Sequence, residues 1–275
     1  MAFFGLFDKK ICAICGGEIG LLGNRKLEDG NCCKKCAAKL SPWFDERRHS
    51  TVEQIKEQLA YREENQKAVE AFHTTRSIKA DSWSVLLDED ANKFMLTKNP
   101  RKIAEENPDV ISFSDITGVR MDVNEDSDEI KRTIKQGDET KEVSYNPPRY
   151  KYEYNFKYII NVNNPYFNEM KFPLNTFTVD VIPPDSAESA GQGLLAIAAS
   201  LTQTKFEPMR SPEYEKYKKI GDEITEALTG AKSEAAEEEA AASAPPKIVV
   251  CPYCGAQTEM TDSKKCQYCG GYLGE

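Results

Sequence analysis

The most regular pattern in the chain runs from Tyr150 to Val162. Tyr150, Tyr152, Tyr154, Phe156, Tyr158, Ile160 and Val162 occupy alternate positions, with mainly Lys, Glu and Asn between them. A period of two puts the apolar set on one face of a strand, so this stretch predicts a long strand with one side in a core. Shorter pieces of the same kind surround it. Trp83, Val85 and Leu87 alternate, and Phe94-Met-Leu96, Val110–Phe113, Ile116–Val119, Met121–Val123, Lys171–Leu174 and Phe177–Val181 follow. Asp88–Asn92 and Asn163–Tyr166 supply turn residues between them. Strands separated by short turns predict an antiparallel meander or small barrel over 81–182. The charged, proline-containing stretch 124–149 predicts a long loop or a hairpin tip.

On either side the period changes to that of a helix. Val52, Ile55, Leu59, Val69 and Phe72 fall at helical steps and predict a helix of about 25 residues, capped at Ser50 or Thr51. Ser50 and Glu53 fit a capping box. Glu53, Glu57, Arg62, Glu63, Glu64 and Lys67 would form the solvated face. Past Pro183-Pro184, Gly193–Leu201 reads as a short apolar helix. A second helix opens at Ser211-Pro212 with Tyr214, Tyr217, Ile220, Ile224 and Leu228 as its stripe and Gly230 as its stop. The Ala/Glu stretch 231–247 cannot bury a core and reads as a disordered tether. The expected organisation is α+β and multi-domain. It comprises a small module at 1–50, a connecting helix at 51–80, a β-rich domain with closing helices at 81–230, the linker at 231–247 and a second small module at 248–275.

Composition narrows the class. The chain has 275 residues, 40% of them hydrophobic, and a formal net charge of −9. That is enough apolar material for a folded core, and the acidic balance argues against nucleic acid along the whole length. The head is the exception, since residues 1–50 carry nine Lys/Arg against six Asp/Glu. No apolar run approaches the ~20 residues of a spanning helix. The N-terminal Phe3-Phe4-Gly-Leu6-Phe7 is too short for a secretory leader and has no basic residue before it, so a cytoplasmic location is expected.

The nine cysteines cluster at the two ends, and none lies between Cys36 and Cys251. An odd number in tight pairs speaks against a disulfide framework. In the tail, Cys251-Pro-Tyr-Cys254-Gly255 and Cys266-Gln-Tyr-Cys269-Gly270 are separated by eleven residues. In the head, Cys12-Ala-Ile-Cys15-Gly16 and Cys33-Lys-Lys-Cys36 are separated by seventeen. Two residues between thiolates let the backbone turn tightly enough for both sulfurs to reach one ion, and the following glycine suits the positive φ of that turn. Two pairs complete a closed tetrahedral zinc site, which predicts two structural zinc ions, with iron as the rival metal. A 28-residue tail cannot fold on apolar burial alone, and zinc supplies on the order of 10–16 kcal/mol. In the head, a knuckle, a hairpin and a second knuckle on a helix N-terminus suggest a treble clef. The tail suggests a zinc ribbon. Cys32 is expected to be a small buried residue, with a ligand role as the alternative.

The run Phe7–Cys32 with Cys33–Phe44, including Gly23-Asn-Arg-Lys-Leu27 and Leu40-Ser41-Pro42, resembles a bacterial family known as domain of unknown function 4428. Cys12, Cys15, Cys33 and Cys36 match that family's paired cysteines. The resemblance implies metal binding in a bacterial cytoplasmic protein and no particular activity. The tail is similar to the short zinc ribbons that end many bacterial proteins. The middle resembles pleckstrin-homology-like domains through its strand meander, Phe113-Ser-Asp-Ile116 and closing helix.

Catalytic chemistry is sparse. There is no phosphate-binding Gly-x4-Gly-Lys-Ser/Thr loop, and Gly191-Gln-Gly193 reads as a joint. No nucleophile elbow or His-Glu-x-x-His motif occurs. His49 and His73 suit surface or capping roles, and Asp88/Asp90 and Asp126/Asp128 suit solvated turns. The expectation is a non-catalytic zinc protein that binds a protein partner or acts as a scaffold. One alternative is nucleic-acid binding through Arg25, Lys26, Lys34, Lys35, Lys39, Arg47 and Arg48. The other is peripheral membrane contact through Phe3, Phe4, Leu6 and Phe7 with the central domain.

Overall fold

The computed structural model describes residues 10–183, 206–243, 248–259 and 264–273. The expected helix at Gly193–Leu201, the Gly191-Gln-Gly193 joint and the Phe3–Phe7 segment lie outside the described residues. The chain divides into two units, Met1–Lys232 and Ser233–Glu275. The architecture is mixed, with several antiparallel sheets and a four-cysteine cluster near each end.

The first unit opens with two small hairpins. β1 (Lys10–Ile11) pairs with β2 (Glu18–Ile19), and β3 (Asn24–Lys26) with β4 (Asn31–Cys33). A single-turn helix α1 (Lys34–Ala37) follows, and then α2 (Val52–Ala71). The head core gathers Cys12, Ile19, Leu27, Cys32, Cys36 and Leu40, and Ile55 of α2 completes it. So few residues cannot close a core alone, and the helix supplies the missing apolar surface.

Helix α2 has 20 residues and is capped by Thr51 with Gln54. The expected Ser50–Glu53 box does not form, because the Ser50 hydroxyl donates to the Glu46 carbonyl instead (2.9 Å). The helix ends at Ala71, where the chain turns away and the His73 N–H donates to the Asp88 carboxylate (2.8 Å). Asp88 is therefore a buried anchor, which also accepts the Ala91 N–H (3.0 Å), and not the solvated turn acid expected. Nor is Arg62 on a solvated face. Ile55, Gln58, Arg62, Asn65 and Val69 are the buried residues of α2.

The strands form two antiparallel sheets. β5 (Arg76–Lys79), β6 (Ser84–Asp88), β7 (Lys93–Thr97) and β8 (Val110–Ser112) make a meander, in which all five residues of β6 are buried. A short helix α3 (Ile103–Glu106) joins β7 to β8. In the second sheet β10 (Glu139–Val162) is central. β9 (Ile116–Gln136) pairs along one edge, and β11 (Glu169–Pro173) and β12 (Val179–Val181) share the other.

The alternation at 150–162 has the expected effect. Tyr154, Phe156, Tyr158, Ile160 and Val162 are buried, while Tyr150 stays 41% exposed. The buried face receives helix α4 (Pro212–Ser243). Tyr214 and Tyr217 pack on Phe156 with ring centroids 5.1 and 5.4 Å apart, and the Tyr158 hydroxyl meets Thr225 Oγ1 at 2.8 Å. Gly221 lies against Met121 of β9, where a Cβ would collide with the thioether.

Two expectations change. The stretch 124–149 is not a loop. β9 and β10 stay paired from Ile116↔Val162 out to Gln136↔Glu139. Past Tyr152, where β12 ends, they continue as an exposed two-stranded ribbon. Its register shifts between Ser144 and Arg149, around Pro147 and Pro148, which have no N–H to donate to the ladder. Gly230 does not stop α4, which runs on to Ser243 through the Ala/Glu stretch expected to be a tether. Alanine and glutamate are strong helix formers, and once the packed half has nucleated the helix each added residue costs little.

The second unit contains the end of α4, a hairpin of β13 (Ile248–Val250) with β14 (Gln257–Glu259), and a bridge between Lys265 and Tyr272. Cys251, Cys266 and Thr258 are buried there.

Candidate metal centres

Three of the four cysteine pairs fold as the same turn. The Cys12 N–H donates to the Gly17 carbonyl (2.9 Å) and the Gly16 N–H to the Cys12 carbonyl (2.8 Å). Cys251 with Gly255 and Ala256, and Cys266 with Gly270 and Gly271, repeat this at 2.8–2.9 Å. Gly16, Gly255 and Gly270 have φ of 69°, 73° and 71°, the left-handed region where a side chain would be strained. The fourth pair is different. Cys33 is the N-cap of α1, and its Sγ accepts the Cys36 N–H at 3.4 Å. Helix amides stabilise the thiolate there in place of a glycine turn.

The Sγ atoms of Cys12, Cys15, Cys33 and Cys36 all lie within 4.8 Å of one another, as do those of Cys251, Cys254, Cys266 and Cys269. Among them, Cys15–Cys33 is 3.8 Å, Cys251–Cys269 3.6 Å and Cys254–Cys266 3.8 Å. Four sulfurs about 2.3 Å from a zinc ion at a tetrahedron's centre would be about 3.8 Å apart along each edge. The donor set therefore fits zinc in both centres. All nine cysteines are unbridged.

Electrostatics fit the same picture. Burial pushes the Cys12 thiol up, but the N–H groups of Cys15, Cys33 and Ile14 outweigh it and bring it down to about 6. Burial and then its sulfur neighbours push Cys36 up. In the tail the Cys269 N–H leads in lowering Cys266 to about 6. At Cys269 the Gly271 backbone N–H pulls the thiol down, but the neighbouring thiols and burial together outweigh it and raise it to about 12. Within each cluster backbone N–H groups favour the thiolate while crowding of the sulfurs opposes it, and a central dication would favour the thiolate at all four.

Cys32 takes no part in the head cluster. Its side chain is fully buried in the head core and its thiol donates to the Cys33 carbonyl (3.4 Å). His49 and His73 are also outside both groups.

A buried polar network near the head was not legible in the sequence. Asp109, fully buried, accepts from Arg62 Nη1 (2.5 Å) and from the Ser41 hydroxyl (2.8 Å). Arg62 also donates to the Asn107 carbonyl. Asn65 donates to the Pro108 carbonyl (2.8 Å) and accepts the Val110 N–H (2.9 Å). Ser41 belongs to the head, Arg62 and Asn65 to α2, and Asp109 and Val110 to the β5–β8 sheet and its lead-in. Beside it a cleft of about 830 Å³ is lined by Cys15, Cys36, Leu40, Ser41, Leu59 and Arg62, among others.

These features define the class, a protein with two tetra-thiolate metal centres. Residues 10–58 match the family described as Domain of unknown function (DUF4428). The matched stretch ends just past Ile55, the α2 residue that closes the head core. No curated protein and no solved structure matches the chain.

Proposed function

We propose that this is a non-catalytic, zinc-stabilised scaffold that binds a protein partner, in a cytoplasmic setting. Each centre takes all four donors from cysteine, so a tetrahedral ion has no position left for water or substrate. Three further assignments belong to the same reading. The head is a treble clef, supported by its knuckle, two hairpins and the ligand pair at the N-terminus of α1. The tail is a zinc ribbon, supported by its two matching knuckles and hairpin. The middle is read as pleckstrin-homology-like, on the strength of a four-stranded meander, a second antiparallel sheet and α4 laid across that sheet.

The observation that carries a binding role is the β9–β10 ribbon. Beyond Ser127 it extends for nine further residues, about 30 Å at strand rise, away from any core of its own. Among the described residues no further strand pairs along either of its outer edges there. Exposed edges are a template for strand addition and are kept only where they are managed or used. Midway along it, at the register shift, Arg132 and Arg149 lie 5.6 and 4.6 Å from the Tyr145 ring, giving a cationic and aromatic surface.

In-cell cross-linking tests the reading. The full chain is compared with one in which residues 132–143 are replaced by Asn-Gly. A stoichiometric protein partner is expected with the first and lost with the second. Absence of any partner, or an unchanged one, refutes it.

A further inference from the structure

The head carries a second exposed feature, independent of the ribbon. Gly20–Gly23 is a β-turn closed by the Gly23 N–H on the Gly20 carbonyl (2.9 Å). Leu21 and Leu22 occupy its two corner positions and are 88% and 87% exposed. Two adjacent leucines bared at a convex turn are not the scattered apolar residues of an ordinary surface. The turn is braced from below. Arg25 Nη1 donates to the Leu22 and Asn24 carbonyls (3.3 and 3.1 Å), and Arg47 Nη1 to the Lys26 carbonyl (2.6 Å).

Those braces are cations. Exposed Lys26 lies between them in sequence, and exposed Lys10 pairs across the first hairpin with Ile19, next to Gly20. Of the nearby acids, Glu18 is on the same hairpin, exposed Glu28 follows Lys26 by two residues, exposed Glu46 adjoins Arg47, and Asp29 is engaged by the Val52 N–H at the start of α2 (2.8 Å). In a chain with net charge −9, the most exposed leucine pair among the described residues thus has Lys10 and Arg25 beside it, with Lys26 farther along β3 and Arg47 bonded to its carbonyl.

We propose that this turn is a membrane-contact tip, with Leu21 and Leu22 entering the interface of an anionic lipid bilayer and Lys10, Arg25, Lys26 and Arg47 meeting its headgroups. A protruding apolar corner suits a soft, deformable partner, and cations beside it on a head of net positive charge suit an anionic one. The head metal centre keeps the tip rigid, because Cys12 and Cys15 sit on the loop joining β1 to β2, the hairpin that leads into the turn. The inference goes beyond the scaffold reading and stands whether or not a protein partner exists.

The test is sedimentation of the full zinc-loaded chain with vesicles of phosphatidylcholine alone or mixed with phosphatidylglycerol. Binding is expected only with the anionic vesicles and should weaken as salt is raised. The double variant Leu21→Ser, Leu22→Ser should lower the bound fraction roughly tenfold or more while keeping its zinc content. The pair Lys10→Glu, Lys26→Glu should lower it as well. If the chain sediments with neither vesicle, or the leucine variant sediments as the parent does, the proposal fails. Leucine-dependent capture of a protein without vesicle binding would also overturn it, in favour of a protein-docking tip.

Discussion

Neighbouring cysteines in the head have opposite fates. Cys33 faces the sulfur cluster and caps α1, whereas Cys32, one residue earlier on the same strand, points into the apolar core. Successive strand side chains point to opposite faces, so only one of the two can reach the ion. Cys33→Ser is expected to reduce bound zinc from about two equivalents to about one, whereas Cys32→Ser keeps both, as elemental analysis of purified protein will show. Asp109 presents a similar contrast between a residue's type and its place. Asp109→Ala would leave the Arg62 guanidinium buried without its partner and should cost about 3–5 kcal/mol in denaturant unfolding. Replacing both with apolar residues, as in Arg62→Met with Asp109→Leu, should recover much of that loss. If Asp109→Ala alone unfolds no more easily than the parent, the network contributes little.

Among elements, α4 shows how local preference and packing divide the work. Its first half is held by aromatic contacts with β10 and by one polar clip. Asp81, just after β5, accepts from the Tyr217 hydroxyl (2.8 Å), the Thr176 N–H (3.0 Å) and Lys216 (3.3 Å). Burial raises the Asp81 carboxyl, but these three donors outweigh it and hold it below the usual carboxylate value. A carboxyl lowered by folding stabilises the fold above its unfolded pKa of about 3.9, and that contribution is lost as pH falls through the lower folded value. The melting temperature should therefore drop below about pH 4, and Asp81→Asn should remove part of that drop. Identical acid profiles for the two proteins would show that the clip contributes nothing. The clip joins residues more than ninety positions apart, so no local pattern marks it. The tyrosine stripe of α4 is local and could be read directly.

At the scale of the whole molecule, metal and apolar burial stabilise different parts. The two β-sheets bury Phe94, Phe113, Tyr154, Phe156, Tyr158 and Phe172 with no ligand among them. The head core, by contrast, is built partly from its ligands Cys12 and Cys36, and among the described residues of the tail little is buried besides Cys251, Cys266 and Thr258. Chelation should therefore make the tail and head cleavable by protease while the β-sheet circular dichroism signal and its cooperative melt persist. Loss of the sheet signal together with the metal would show that the head network is indispensable to the rest.

The sequence alone determined the features that repeat over a short span. Cys-x-x-Cys spacing with a following glycine specified the knuckles, and period-two alternation specified β10, because backbone geometry within a few residues dictates both. It also contained Leu21 and Leu22 between two glycines, a visible signal that acquires meaning only once both side chains prove to be bare. Tertiary structure alone decided that Arg62 and Asp109 meet in the interior, that Asp88 is an anchor, and that 124–149 is a paired ribbon. Arg62 and Asp109 are 47 positions apart, Asp88 reaches back to His73, and the ribbon buries no face that would give it a period; a charged residue has the same local signature whether water or another group answers it.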